Sequence, residues 1–378
     1  MRNVNCSNTS ENTLRAQYAL ILGRHMSPAC DLSSREFWDV AWQEGVGACV
    51  WHAVQASGTP LDAAIRKTCV EQPLRSQTAH TLMLRAAAVE VLSALNAADL
   101  DVVMLRGQSL AEMLYNPPIL RPQTDIDLLV AADSETRCAA VLLQCGFSSL
   151  PGHPLLFARG EVLLDVHTEP LGIERMASWA LLTPLRAGDF FQHAANGTLL
   201  GEPALLPDAS VCLPYLCFHA MKHSFERLIW LQDIALLAGR IDTSAGWREV
   251  AEGIARYRLE RPCFYALSYA ARHLAAPVPG EVLGALRPDM DWRERSMFTR
   301  FMRHEPVPFL AERVFARMQP DFSHRMAFWR ETIWPDARVR RQVDADPSAQ
   351  GGFVGKRRRQ IGRAAIMLIR EFRGLFRG

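Results

Sequence analysis

The first hundred residues follow the spacing of an amphipathic helix. Apolar side chains recur every three or four positions, as at Leu84, Ala88 and Val91, which places them on one helical face. Glycine and proline are sparse within these runs. Residues 1–98 are therefore predicted to form a helical region, and the dipeptide Thr59-Pro60 predicts one helix start, with the threonine as the N-cap.

From about residue 99 the pattern changes to short apolar runs that are typical of β-strands. These runs lie at 102–105, 126–130 and 162–166. Before the last run, the pattern predicts a helix over 134–144 that ends at Gly146 in left-handed geometry. Residues 99–206 are therefore predicted to form an α+β or α/β unit.

The rest of the chain is again helical in pattern. Residues 207–335 are predicted to form a second helical region, in which one helix runs from about 213 to 239 and carries a polar stripe. Prolines near positions 277 and 306 break the remainder into shorter helices. Residues 336–378 are predicted to be a linker followed by a basic tail.

Composition limits the classes of function that need to be considered. The chain has 378 residues, 49% of them hydrophobic and 22% charged, with a formal net charge of +2. This is ordinary globular composition with enough residues for two or three compact units. A near-neutral charge argues against nucleic acid as a partner.

The cysteines and the N-terminus predict a location. Nine cysteines, an odd number without a CxxC pair, indicate free thiols in a reducing compartment. The N-terminus is polar and lacks the apolar core of a signal peptide, and no run of about 18 apolar residues occurs. These features predict a soluble protein of the cytoplasm.

Two aspartates one residue apart are the most informative chemical feature. Asp125 and Asp127 begin the second apolar run, and alternation along a strand puts both carboxylates on one face, while Ile126 and Leu128 pack on the other. Paired carboxylates at this spacing suit a divalent metal ion. The alternative is that the pair merely ends a strand on a solvated face.

Further segments place this pair in a wider pattern. A glycine turn, Leu105-Arg106-Gly107, follows the first apolar run, and Asp165-Val166-His167 ends the third. Together with Asp125-Ile-Asp-Leu-Leu-Val130, His219-Ala-Met-Lys-His223 and Trp230-Leu-Gln-Asp-Ile234, they resemble the nucleotidyltransferase superfamily, which has a polymerase-beta-like core. More narrowly they resemble an uncharacterised bacterial nucleotidyltransferase family. The resemblance covers roughly residues 80–240.

The resemblance implies an α+β fold, with a small mixed-sheet catalytic core between the two helical regions. It implies Mg²⁺, with Mn²⁺ as the alternative, held by the catalytic acids Asp125, Asp127 and Asp165. It also implies a nucleoside triphosphate as donor and a hydroxyl group of a small molecule, peptide or protein as acceptor. The metal ions would neutralise charge on the phosphates during the transfer. Seventeen residues separate Gly107 from Asp125, more than is usual in the superfamily.

Binding of the triphosphate is assigned to the glycine turn and to nearby cations. A glycine lets backbone N–H groups approach phosphate, and Ser109 is expected to cap the helix that follows. Arg121 has the alternative role of holding Asp125 in an ion pair. The alternative for Lys222 is that its helix packs on the catalytic domain with its histidines hydrogen-bonded. The predicted nucleotide and phosphate ligands are Arg106, Gly107, Gln108, Ser109, Arg121 and Lys222.

A polar stripe on the predicted helix around residue 220 supplies candidates for indirect support of the site. His167 and the histidines of the stripe either contact the substrate or the metal ligands, or serve as structural histidines held by hydrogen bonds. Asp233 is expected to pair with Lys222, Arg227 or a histidine, and Trp230 is more typical of a core than of a base-stacking platform. The supporting candidates are His167, His219, His223 and Asp233.

The last 23 residues form a separate feature. Residues 356–378 carry eight basic side chains and one acidic one, Glu371, and on a helical wheel the arginines oppose the apolar residues. Such a helix suits an anionic membrane surface at the inner face of the membrane or an acidic partner. One alternative function is a non-catalytic nucleotide-binding scaffold that this tail recruits to a membrane or a partner. A second alternative, independent of the tail, is phosphoryl transfer from the same triphosphate site.

Overall fold

The computed structural model describes residues 7–24, 30–172 and 177–335. Before the first strand the chain is helical, as predicted, with a π-helical segment (Arg66–Glu71) between the fourth and fifth helices. These helices are α1 (Ser7–Arg24), α2 (Arg35–Gln43), α3 (Gly47–Ala56), α4 (Ala63–Ile65) and α5 (Gln72–Ala97).

The middle of the chain contains the strands of two sheets. The strands are β1 (Val102–Met104), β2 (Ile126–Val130), β3 (Ser148–Leu150), β4 (His153–Arg159), β5 (Val162–His167), β6 (Ala194–Leu199) and β7 (Glu202–Pro207). The helices between them are α6 (Gly107–Leu114), α7 (Glu135–Gln144) and α8 (Ala187–Gln192). The predicted strands and the helix before Gly146 are confirmed, and this glycine has a φ of 81°.

Helices fill the described part of the chain after β7. They are α9 (Ala209–Lys222), α10 (Leu228–Ala238), α11 (Ser244–Arg256), α12 (Glu260–His273), α13 (Gly280–Leu286), α14 (Trp292–Met302), α15 (Leu310–Arg317) and α16 (Phe322–Ile333). None of the helices in the described ranges combines the length and hydrophobicity that crossing a membrane requires. The linker and basic tail predicted for 336–378 lie outside the described residues.

The larger sheet is mixed, and the α+β class with flanking helices is confirmed. Its strand order is β1-β2-β5-β4-β3. β2 and β5 are parallel, whereas the other neighbours are antiparallel. The second sheet is the hairpin of β6 and β7.

Alternation along the strands divides the residues of the sheet between two cores. Ile126, Leu128 and Val130 pack with α5 and α7, whereas Leu129 joins a second core that includes α1–α3 and α9–α15. Burial of the first three side chains leaves Asp127 on the opposite face. The prediction that Ile126 and Leu128 pack behind the acids is confirmed.

Two local expectations about helices are wrong. Asp62, and not Thr59, caps α4, because its carboxylate accepts hydrogen bonds from the backbone N–H groups of Ala64 and Ile65. The Thr59 hydroxyl instead lies 2.8 Å from the hydroxyl of Ser57. The helix therefore starts three residues later than predicted, at the Asp62 cap and not at Thr59.

The helix predicted over 213–239 is in fact two helices, α9 and α10. Ser224 and Phe225 adopt left-handed φ angles of 52° and 54°, and the Phe225 N–H donates to the Ala220 carbonyl, which closes the end of α9. Phe225 is fully buried and packs on Phe301. Tertiary burial therefore overrides the helical pattern.

A buried ion pair fastens α10 to the segment before β2. Arg121 donates from Nε and Nη2 to the two carboxylate oxygens of Asp233 at 2.9 and 2.8 Å, and the hydroxyl of Tyr115 donates to the same carboxylate at 2.6 Å. Both charged residues are buried. The expected pairs of Arg121 with Asp125, and of Asp233 with Lys222, Arg227 or a histidine, are therefore wrong.

We predict that Asp233→Ala lowers the free energy of unfolding by about 3–5 kcal/mol, because it leaves the Arg121 guanidinium buried without its counter-charge. Urea unfolding measures this change. Asp242→Ala, which removes an exposed carboxylate just after α10, is the matched control and should change stability by less than about 0.5 kcal/mol. Equal effects of the two substitutions would contradict the structural role of the pair.

Candidate active site

The acids meet at the centre of the larger sheet. The parallel register of β2 and β5 puts Asp127 directly beside Asp165, and Leu129 beside His167. Asp127, Asp165 and His167 each offer one ligand atom, and these atoms lie within 4.8 Å of one another. Two acids that are far apart in the chain therefore become neighbours because their strands are paired.

The negative charge of Asp127 is stabilised by two neighbouring side chains. Its Oδ1 accepts from Nη2 of Arg106 and lies 3.0 Å from Nε2 of His167. The same histidine nitrogen lies 3.4 Å from Oδ2 of Asp165. Burial by itself would raise the pKa of Asp127, but Arg106 and His167 outweigh it and hold that pKa well below its usual range.

Asp125 lies just before β2, on the same side of the chain as Asp127. Its Oδ1 accepts from the hydroxyl of Thr124 at 3.0 Å. Burial, and then the charge on Asp127, raise the pKa of Asp125. The two aspartates of the pair therefore differ. The environment stabilises the charged form of Asp127 and disfavours the charged form of Asp125.

A cleft of about 260 Å³ opens above the acid pair. Its floor includes Asp125 and Asp127, and its walls come from the glycine turn, from the segment before β2 and from α9 and α10. The cations among the lining residues are Arg106, Arg121 and Arg227. The charge of Arg121 is engaged by Asp233, so Arg106 is the guanidinium that meets the acids directly.

The glycine turn brings the start of α6 to the edge of this cleft. Gly107 has a φ of 31°, and α6 begins at this residue, directly after Arg106. A Cβ built at Gly107 would meet the Asp125 carbonyl at 3.6 Å, which is ordinary contact. Glycine is therefore required here by backbone conformation and not by lack of space.

Aromatic and imidazole rings line the wall opposite the acids. The break after α9 folds Trp230 back onto His219 and His223, with ring centroids 5.4 and 5.1 Å away. Nη1 of Arg106 lies 2.6 Å from Nδ1 of His219. Burial, and then Arg106, hold the pKa of His219 well below its usual value, so this ring is neutral at pH 7 and accepts from the arginine.

Three predicted phosphate ligands face elsewhere. Lys222 donates to the Leu171 carbonyl at 3.1 Å and lies over the ring of Trp179. Ser109 lies inside α6, where its hydroxyl contacts the sulfur of Met113 at 3.4 Å, so its predicted cap is wrong. Gln108 is buried within the same helix and does not line the acid cleft.

Gln123 is a lining residue that sequence reasoning missed. It is buried, and among the described residues both atoms of its side-chain amide lack a hydrogen-bond partner. Arg227 was predicted only as an ion-pair partner, yet it lines the cleft. The only sequence signal for Gln123 is its position two residues before the acid pair. That signal is weak, because whether Gln123 lines the cleft depends on how the segment before β2 folds.

The cluster of acids fits a divalent cation. Carboxylate oxygens are ligands that Mg²⁺ and Mn²⁺ prefer, and a neutral imidazole is accepted by Mn²⁺ and by other transition metals. The structure brings Asp127, Asp165 and His167 together and leaves Asp125 at the cleft floor. His167 is thus close enough to be a ligand itself, which the sequence analysis expected only as indirect support.

Comparison with known proteins identifies the family of the chain. Residues 31–275 match the model of a family described as uncharacterised nucleotidyltransferase. The chain belongs to this nucleotidyltransferase family. The match spans both strands that carry the acids, the glycine turn and the wall formed by α9 and α10.

Two solved structures resemble parts of this nucleotidyltransferase. The antibiotic-resistance factor ANT(2'')-Ia is 15% identical with a TM-score of 0.31, over 51% of this chain and 98% of that one. A nucleotidyltransferase-like antigenic protein from Paracoccidioides brasiliensis is 15% identical with a TM-score of 0.32, over 53% of this chain and 95% of that one. No curated protein matches the nucleotidyltransferase in sequence.

We predict that Gly107→Ala lowers the free energy of unfolding by about 1–2 kcal/mol, because an L-residue is strained at the positive φ of this position. Thermal or urea unfolding measures the loss. Gly188→Ala is the control, since Gly188 lies within α8 and a Cβ there meets nothing within 4 Å. That substitution is expected to be neutral or to stabilise by up to about 1 kcal/mol, and a similar loss in both variants would refute the conformational argument.

Proposed function

We propose that this nucleotidyltransferase moves a nucleoside monophosphate from a nucleoside triphosphate to a hydroxyl acceptor and depends on a divalent cation, Mg²⁺ or Mn²⁺. The observation that supports the proposal is the register of β2 and β5, which sets Asp127 beside Asp165 and His167 under a cleft with a cationic wall. Family membership supports the class of transfer.

Each side chain has a definite task in this proposal. Asp127, Asp165 and His167 would hold the cation, with Asp125 completing the acidic floor. A bound divalent cation would neutralise charge on the triphosphate and on the attacking oxygen. Gly107, the first residue of α6, lines the cleft, where a helix N-terminus would favour an anion.

The transfer conserves atoms and charge. The acceptor oxygen forms a bond to the α-phosphorus while the bond from that phosphorus to the bridging oxygen of the β-phosphate breaks, and pyrophosphate departs with the electron pair. The hydroxyl proton passes to a carboxylate, for which Asp165 is our choice, because its side chain is one-third exposed whereas that of Asp127 is 6% exposed. Arg106 and Arg227 line the cleft where the triphosphate would lie.

The first test separates binding from turnover, since binding does not require a known acceptor. We expect wild-type protein to bind Mn²⁺ and at least one of the four Mn²⁺–triphosphate complexes, and Asp127→Asn/Asp165→Asn to weaken both by about tenfold or more, because the substitutions remove both negative charges from the cluster. Electron paramagnetic resonance of free Mn²⁺ and calorimetry with each nucleotide measure the two affinities.

The control for this test is Asp101→Asn, which neutralises an exposed carboxylate next to β1. It should bind as the wild type does. Equal Mn²⁺ affinity in the double variant and the control, or no nucleotide binding by folded wild type at millimolar concentration, would contradict the proposed donor site.

A second test distinguishes nucleotidyl from phosphoryl transfer. Incubation of the protein with the bound triphosphate and a mixture of small-molecule alcohols should yield a product heavier than its acceptor by a nucleoside monophosphate residue, because bond breakage between the α- and β-phosphates leaves the base on the product. Mass spectrometry measures the gain. A gain of one phosphoryl group alone would replace the proposal with phosphoryl transfer.

A further inference from the structure

A second cavity lies directly behind the glycine turn. Its volume is about 210 Å³. The wall is formed mainly by apolar side chains of β1, α6, α8, α9 and α10. Representative wall residues are Val103, Leu110, Met113, Phe190, Leu216 and Leu237.

Arg106 belongs both to this cavity and to the acid cleft. Its guanidinium pairs with Asp127 on one side and lies 6.0 Å from the ring centre of Tyr215, which is part of the cavity wall, on the other. The cavity therefore ends one side chain away from the acids of the proposed donor site.

The unpartnered hydroxyl of Tyr215 distinguishes this cavity from a packing defect. The residue is 2% exposed, and its hydroxyl has no hydrogen-bond partner among the described residues. A buried hydroxyl without a hydrogen-bond partner is unfavourable, and a ligand that supplies the partner removes that cost. Burial raises the pKa of Tyr215, Arg106 opposes that rise, and the charges on Asp127 and Asp165 add to it, so the hydroxyl remains a hydrogen-bond donor.

The other polar groups of the wall are already engaged or lie at the outer end. The thiol of Cys212 donates to the Pro207 carbonyl at 3.4 Å, and Ser109 contacts the sulfur of Met113. Asp208 is exposed and caps α9. A ligand with many hydroxyl or charged groups would lose its hydration in the middle of this cavity without replacement.

On the basis of the proposed function, we propose that this cavity binds the acceptor and that the acceptor is an apolar alcohol, with one hydroxyl group on an aliphatic or aromatic body. The body lies among the side chains of β1, α6 and α9, and the hydroxyl accepts from Tyr215 at the Arg106 end. Its oxygen attacks the α-phosphorus, pyrophosphate leaves, and the proton passes to Asp165. The product is a nucleoside monophosphate ester of the alcohol.

The test uses n-octanol as the probe and the full-length protein. Calorimetry measures octanol binding and triphosphate binding separately, and mass spectrometry detects the octyl ester of the nucleoside monophosphate. Cys212→Phe adds a ring to the cavity wall and is expected to weaken octanol binding by about tenfold or more, with triphosphate affinity unchanged. Ala255→Phe, which adds the same ring to the exposed face of α11, should leave both affinities unchanged.

A second variant keeps the shape of the cavity. Tyr215→Phe is expected to lower the rate of octyl ester formation by about tenfold without loss of stability, because it removes a buried hydroxyl that has no partner within the described structure. Tyr265→Phe is the matched control. Its hydroxyl is likewise buried without a partner in the described ranges, but it does not line this cavity, so the rate should not change.

The outcomes separate the two proposals. Triphosphate binding without octanol binding, or octanol binding that Cys212→Phe does not weaken, would overturn the acceptor cavity and leave the donor site intact. Octanol that binds but is never esterified while sorbitol is esterified would also overturn it. Failure of wild type to bind any triphosphate would instead overturn the proposed function, and the acceptor role would fall with it.

Discussion

Alternation of side chains along β2 is the constraint on which the site depends. Burial of Ile126, Leu128 and Val130 against α5 and α7 cannot be reversed without exposing the core, so Asp125 and Asp127 must face the other way. Parallel pairing with β5 applies the same rule to Asp165 and His167. The hydrophobic effect thus brings like charges together at a site that they would otherwise avoid.

Such a concentration of acids needs compensating charge, and it comes from the glycine turn and from β5, not from the other cations around the site. Arg121 is neutralised by Asp233, and Lys222 turns toward Leu171 and Trp179. Arg106 and His167 both act on Asp127, whereas burial and Asp127 itself penalise the charge on Asp125. Carboxylates gathered in this way supply the oxygen ligands that a divalent cation prefers.

Local patterns made much of this site predictable. Period-two alternation identified β2 and the shared face of its acids, and the positive φ of Gly146 followed from a glycine at a helix end. The register that joins Asp127 to Asp165 is not local, and only the family resemblance suggested it. β4 lies between β3 and β5 in the sheet, yet its sequence, His153–Arg159, has no clear alternation and was not predicted. The domain boundaries remain predictions.

The break between α9 and α10 explains why the rest could not be predicted. Ser224 and Phe225 adopt left-handed conformations although neither is glycine, because Phe225 gains burial against Phe301 and Glu44 accepts from the N–H of Leu228. These partners are distant in sequence, so no local pattern records them. The break brings Trp230 back over His219, and His219 in turn contacts Arg106, which borders both the acid cleft and the apolar cavity. Long-range packing therefore determines which side chains face the acids, while local alternation determines where the acids are.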